Sequence, residues 1–128
     1  MMRQVINTDQ APAPVGPYNQ SIAANGTLYV SGQVAIDPST GKMLQESIEV
    51  ETKQVMHNIG AILKGAGLNF DSILMCNVFV SDMNNYARIN AVYAEFFNAE
   101  TAPARMLVEV SGLPKDANVE ISVIATLK

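Results

Sequence analysis

Arg105 and Glu120 are the residues whose types and surroundings best fit a chemical task in this 128-residue chain. Arg105 follows Thr101-Ala102-Pro103-Ala104 and opens the apolar run Met106-Leu107-Val108. Glu120 is enclosed by Val119 and Ile121-Ser122-Val123-Ile124. A guanidinium can hold a substrate carboxylate through two parallel charge-assisted hydrogen bonds. A glutamate nearby can orient a water or move a proton. That pair is the minimum equipment for hydrolysing a small molecule that carries its own carboxylate. Glu109, between Val108 and Val110, is a rival: strand parity puts Arg105, Leu107 and Glu109 on one face. The spacing leaves open which glutamate approaches the guanidinium.

Each of these residues also has a plain structural reading. An edge-strand arginine can snorkel to solvent, and a strand glutamate can point outward. Tyr18 follows a proline-stiffened loop, and Ser31-Gly32-Gln33 ends a strand, where a glycine permits close backbone approach. Asn90 falls near the apolar stripe of a helix, and a backbone group in an adjacent loop is the expected partner for its amide. His57 lies between stripe positions and is expected to face solvent. Cys76 reads as a small buried hydrophobe. No spacing supports a metal site, and no glycine loop opens a helix in the manner of a nucleotide site.

The elements that must position these residues follow from pattern. Val5-Ile6 reads as a short strand, followed by a loop carrying Pro12, Pro14 and Pro17. Asn25-Gly26 between two apolar runs predicts a two-residue hairpin turn. Asp37-Pro38-Ser39-Thr40-Gly41 reads as a looser turn. Helical spacing runs from Ile48 to Ala66 through Val55, Ile59 and Ile62, with a left-handed stop at Gly65 or Gly67. Residues 73–80 read as a strand. Asp82 or Asn84 is expected to cap a second helix that buries Ile89, Val92, Tyr93 and Phe96. Strands near 105–110 and 119–127 close the chain, joined by a Gly/Pro-bearing turn that suggests a hairpin. The sum is one α+β domain over residues 1–128, a mixed six-stranded sheet with two helices on one face. Neither parity of 73–80 is polar enough for water, so the uncovered face is expected to bury itself against other subunits in a barrel-like core.

Composition narrows the classes. The chain is 48% hydrophobic and 16% charged, which excludes general disorder. Its net charge of −4, with scattered cations, argues against a nucleic-acid surface. No run suits a signal peptide or a membrane span, and a single cysteine excludes an internal disulfide, so a cytoplasmic protein is expected.

Ala13-Pro14-Val15-Gly16-Pro17-Tyr18, Val30-Ser31-Gly32-Gln33, Tyr86-Ala87-Arg88-Ile89-Asn90, Pro103-Ala104-Arg105 and Val119-Glu120-Ile121 together resemble the reactive-intermediate deaminase (Rid, YjgF) family in order and spacing. The resemblance spans nearly the whole chain. It implies a chorismate-mutase-like protomer, a homotrimer, and sites in clefts between subunits. It implies hydrolytic deamination of 2-imino and enamine acids, such as 2-aminoacrylate and 2-iminopropionate, to 2-oxo acids and ammonia, without a cofactor. Such an activity protects pyridoxal-phosphate enzymes from damage. On this resemblance Arg105 grips the substrate carboxylate and Glu120 holds the attacking water. Tyr18, Ser31 and Gly32 wall the pocket, and Asn90 buttresses it. Many relatives carry cysteine where this chain has Leu107, which on the resemblance would dry and enlarge one side of the pocket. The competing reading is a non-catalytic trimeric binder of small 2-oxo acids or other carboxylates. A third reading is action on RNA, an activity attributed to some relatives.

Overall fold

Six strands form one mixed sheet in the computed structural model, which describes residues 2–128. In chain order the elements are β1 (Gln4–Ile6), β2 (Ser21–Ala24), β3 (Thr27–Gln33), α1 (Ile48–Gly65), β4 (Ile73–Val80), α2 (Tyr86–Ala94), β5 (Ala104–Glu109) and β6 (Val119–Thr126). The spatial order is β1-β2-β3-β6-β4-β5. Only β4 and β5 run parallel; the other neighbours are antiparallel.

Local chemistry explains the boundaries. Asn25 and Gly26 take φ of 52° and 77°, the left-handed pair that a two-residue hairpin turn needs, and β2 and β3 pair around them. Ser47 caps α1 by accepting a hydrogen bond from the Val50 N–H at 3.1 Å. The helix ends in a Schellman arrangement: Leu68 N–H donates to the Leu63 carbonyl at 2.8 Å and Gly67 N–H to that of Lys64 at 2.9 Å. Gly67, at φ 77°, supplies the left-handed residue. Asp82 caps a short 3₁₀ turn, Met83–Asn85, that runs directly into α2. Ile89, Val92 and Tyr93 are buried as the spacing predicts, whereas Phe96 lies beyond the helix end and is half-buried.

Both helices cover the sheet face formed by Val119, Ile121, Val123 and Ala125 of β6 with Cys76, Val78 and Val80 of β4, all buried. Val55, Ile59, Ile62 and Leu63 of α1 complete this core with exposures of 0–1%. A bidentate pair between Arg88 and Glu49, at 2.8 and 2.7 Å, ties α2 to the start of α1. His57 is exposed and sets its ring edge-on to Phe96 at 5.8 Å. The opposite sheet face keeps Tyr29, Met106 and Val108 open to solvent, at 51%, 37% and 40% exposure.

The hairpin expected between the last two strands does not form. β5 and β6 are consecutive in sequence, but β4 lies between them. The α2 crossover returns β5 parallel to β4 at the sheet edge. Burial explains the choice of places. β6 has an entirely buried face and gains from two neighbours, while β5 has no fully buried residue and carries Arg105 and Glu109, which an edge tolerates. No helix among the described residues is long and apolar enough to cross a membrane.

Truncating the centre of the α1 face tests this core. Ile59→Ala, at a site with no exposure, is expected to cost about 2–5 kcal/mol in urea unfolding, whereas His57→Ala should change stability by less than about 1 kcal/mol.

Candidate functional site

Glu120 stands on β6 opposite Phe79 of β4, on the face away from the helices. The ladder between β3 and β6 shifts register between Val30 and Gln33, and this irregularity lifts Ser31 and Gly32 out of the pairing. Ser31 is held instead by the preceding loop: its N–H donates to the Gln20 carbonyl at 2.9 Å and its hydroxyl to that of Asn19 at 2.6 Å. Gly32 then faces the carboxylate directly. A Cβ at this position would lie 3.0 Å from Cδ and 3.2 Å from Cγ of Glu120, so the missing side chain is what lets the glutamate sit there.

The proline loop makes the second wall. Its organiser is Gln20, which is 2% exposed and which the sequence reading did not single out. Gln20 Nε2 donates to the carbonyls of Thr8 and Pro12 at 2.9 and 2.8 Å, and Oε1 accepts the Thr8 N–H at 2.7 Å. The available signal was the run of prolines, which lack N–H donors and leave nearby carbonyls needing partners from elsewhere. Tyr18, at the loop's end, is 45% exposed, and its hydroxyl lies 3.4 Å from the Val15 N–H. Pro114 and Lys115, in the turn before β6, make the third wall. Together Pro14, Tyr18, Gly32, Lys115 and Glu120, with their neighbours, enclose a cavity of about 400 Å³. Ser31 lines it as well.

Burial pushes the Glu120 carboxyl above its ordinary pKa. Among the described residues it has neither a hydrogen-bond partner nor an ion-pair partner. A half-buried, unpaired carboxylate on a cavity wall can take a proton from water and return it.

Arg105 lies elsewhere. It pairs with Cys76 across the β4–β5 ladder, while Glu120 pairs with Phe79. Cys76 and Phe79 are three residues apart, so the two charged groups project from opposite faces of the sheet. Arg105 Nη1 donates to Asn90 Oδ1 at 2.8 Å and Nη2 to the Tyr86 hydroxyl at 3.2 Å. The guanidinium carbon sits 4.8 Å from the Tyr93 ring centroid. Asn90 is therefore satisfied by Arg105 and not by loop backbone, as the sequence reading expected. Tyr86 and Tyr93 are holders that reading missed, although each lies three or four residues from Asn90 on the same helix. Beneath them Cys76 is buried, and burial pushes up both its thiol and the Tyr93 hydroxyl, which makes no ordinary hydrogen bond.

Neither glutamate faces Arg105 within the chain, and among the described residues no carboxylate pairs with it. Glu109 is engaged otherwise, accepting the Met83 N–H at 2.8 Å. Leu107 packs against the core from the edge and does not line the Glu120 cavity. No cluster of three His, Cys, Asp or Glu side chains suited to a metal occurs among the described residues.

The raised carboxyl has a consequence for stability. Folding suppresses ionisation of Glu120, so its folded pKa exceeds the unfolded value. Below both values the group is neutral in either state and costs nothing. As pH rises from the ordinary value of about 4.5 to the folded one, the unfolded chain loses its proton first and stability falls. Glu120→Gln should therefore match the wild-type Tm in acid and exceed it increasingly as pH rises through this window, as followed by thermal melts.

Residues 8–127 match the family model described as Endoribonuclease L-PSP. A RutC family protein of Synechocystis is 51% identical over 99% of this chain and 98% of its own length. The mouse protein named 2-iminobutanoate/2-iminopropanoate deaminase is 40% identical over 98% of this chain and 92% of its own. The crystal structure of a Rid family protein, YyfA of Yersinia pestis, superposes with a TM-score of 0.94 at 46% identity, covering 98% of this chain and 99% of that one. Sequence identity, backbone superposition and coverage agree, and the chain belongs to the Endoribonuclease L-PSP family, also known as the Rid/YjgF/RutC family.

Proposed function

We propose that this protein hydrolyses small 2-imino acids to 2-oxo acids and ammonia, in sites shared between subunits of a homotrimer. The observation that carries the proposal is the pairing of two incomplete half-sites. One is an unpartnered, half-buried carboxylate on a cavity wall. The other is a guanidinium held in place by Asn90, Tyr86 and Tyr93 with no carboxylate of its own. They lie on opposite faces of one sheet, so a substrate touching both needs a second chain to bring them together. The exposed apolar face around Tyr29, Met106 and Val108 supplies a reason for chains to associate. The deaminase name carried by the mouse relative supports the substrate class.

The chemistry then follows from charge. Arg105 of one subunit receives the substrate carboxylate in a two-pronged hydrogen bond, with Asn90 and Tyr86 keeping the fork aligned. Glu120 of the neighbouring subunit accepts a proton from a water as its oxygen bonds to the imine carbon. The C=N π pair moves to nitrogen, which takes the proton that Glu120 received from the water, giving a neutral carbinolamine. Glu120 then removes the carbinolamine hydroxyl proton as C=O forms and delivers it to nitrogen as the C–N bond breaks, so ammonia leaves and the carboxylate is regenerated. Water is the nucleophile, so neither a thiol nor a cofactor enters the balance. A carboxyl pKa raised by burial brings Glu120 nearer to neutrality, where one group serves as both base and acid. Tyr18, Ser31 and Gly32 wall the cavity around the reacting carbon. Leu107, two residues past the arginine, offers an aliphatic surface beside its carboxylate-binding end. Removal of such imines would shield pyridoxal-phosphate enzymes.

Freshly generated 2-iminopropionate should decay to pyruvate faster with the protein present. Arg105→Ala should lower kcat/KM by about 10²-fold or more, chiefly through lost substrate capture. Glu120→Ala should lower kcat by about 10²–10⁴-fold while pyruvate binding persists. Carboxylate binding without acceleration by the wild type would favour the non-catalytic binder instead. Because the family model carries an endoribonuclease name, RNA cleavage is the second activity to assay; phosphate contacts would make it fall steeply with salt, against the net charge of −4.

Sharing of the site between chains has its own test. Co-refolding inactive Arg105→Ala and Glu120→Ala proteins in equal amounts should restore about a quarter of wild-type activity, since a random trimer pairs an intact arginine with an intact glutamate at that frequency. Sedimentation of the wild type as a monomer, or no recovery on mixing, would refute the shared site.

A further inference from the structure

A second carboxylate stands behind the cavity, and no step of the chemistry above uses it. Glu51, in the first turn of α1, has no exposed surface. Its Oε2 accepts the Asn118 backbone N–H at 2.7 Å, and its Oε1 accepts Asn118 Nδ2 at 2.8 Å. Gln45 Nε2 adds a contact of 3.3 Å to Oε2 and reaches the Asp116 carbonyl at 3.0 Å. No cation pairs with Glu51 among the described residues. The amide donors and the positive end of the α1 dipole offset the cost of enclosing it.

The helix does not require this residue, because Ser47 already caps it and Glu49 already places an acid in its first turn. The turn on the other side of the contacts does require something. Lys115 and Asp116 take φ of 57° and 53° in succession, a region that non-glycine residues hold only where surrounding contacts impose it. Pro114 and Lys115 of this turn line the cavity, and Asn118 stands two residues before Glu120.

We propose that Glu51, assisted by Gln45, is a positioning residue that clamps the 114–118 turn in its left-handed form and thereby sets the place of Glu120 in the cavity. Its catalytic consequence rests on the role given to Glu120 above. The clamp demands a carboxylate because every partner is a donor. An amide at position 51 would turn an NH₂ group toward one of the Asn118 N–H groups and leave that donor unpaired.

The test compares wild type with Glu51→Gln by imine-hydrolysis kinetics and by following the Glu120 carboxyl with ¹³C NMR across pH. In the folded variant kcat should fall about tenfold with KM changed by less than about twofold, as a small misplacement of the proton-transfer group would cause. The Glu120 titration should move down toward the ordinary carboxylate value as the loosened turn admits water. A folded Glu51→Gln protein with wild-type kcat and an unmoved Glu120 titration overturns the proposal. So does a rate loss that disappears on cooling, which would mark a stability effect alone. If Glu51→Gln does not fold, Gln45→Ala carries the test, with kcat expected to fall about threefold and the titration to move the same way; no change in either overturns it. If the wild type hydrolyses no imine, the functional reading fails while the NMR titration alone still decides the clamp.

Discussion

Side chains along a β-strand alternate between faces, and that period of two governs what this molecule can do alone. Arg105 stands in register with Cys76, and Glu120 with Phe79. The odd separation between those β4 partners puts the layer of the sheet itself between cation and carboxylate. Side-chain rearrangement does not cross a hydrogen-bonded sheet. Slipping β6 by one residue would bring the groups to one face, but it would also turn Val119, Ile121, Val123 and Ala125 out of the core, all at 0–2% exposure. The hydrophobic pattern therefore locks the separation in place.

Each half of the arrangement has its own scaffold. On the helix side, α2 offers Tyr86, Asn90 and Tyr93 from successive turns, and β5 brings Arg105 across them at the edge. The edge position leaves part of the guanidinium reachable, which an interior strand would not. On the open side, the register shift in β3 removes Ser31 and Gly32 from the ladder, and the proline loop takes up the freed backbone donor of Ser31. The two scaffolds share β4 and β6 and little else. This explains how a chain with 16% charged residues can hold one charge of each sign in a poorly solvated place without their neutralising one another.

Much of this was legible beforehand. The α1 stripe, the Asn25-Gly26 turn and residues 73–80 of β4 declared themselves through local rules: helical spacing, positive φ and an unbroken apolar run. The hairpin inferred between β5 and β6 misled because sequence adjacency favours pairing of neighbouring strands, while here the completely buried face of β6 competed for the sheet's interior. Asn90 was correctly seen as an amide needing a partner, but the partner came from a strand fifteen residues away, which no local rule supplies. Gln20 and Glu51 escaped notice for a related reason. A polar residue reads as surface until the fold encloses it, and what encloses these two is the meeting of segments distant in sequence. The cavity around Glu120 is a product of such meetings, and its lining could be named only in part from Tyr18, Ser31 and Gly32.

The buried amide of Gln20 bears on how far the loop before β2 can change. By meeting the carbonyls of Thr8 and Pro12 itself, it anchors the base of the loop, and the side chains of residues 13–15 beyond it take no part in that anchoring. Substitutions at Ala13, Pro14 or Val15 can then remodel one side of the chamber while the sheet behind it stays as it was. The shape of the chamber thus depends on a short, tethered ribbon of chain whose side chains can change at small risk to folding.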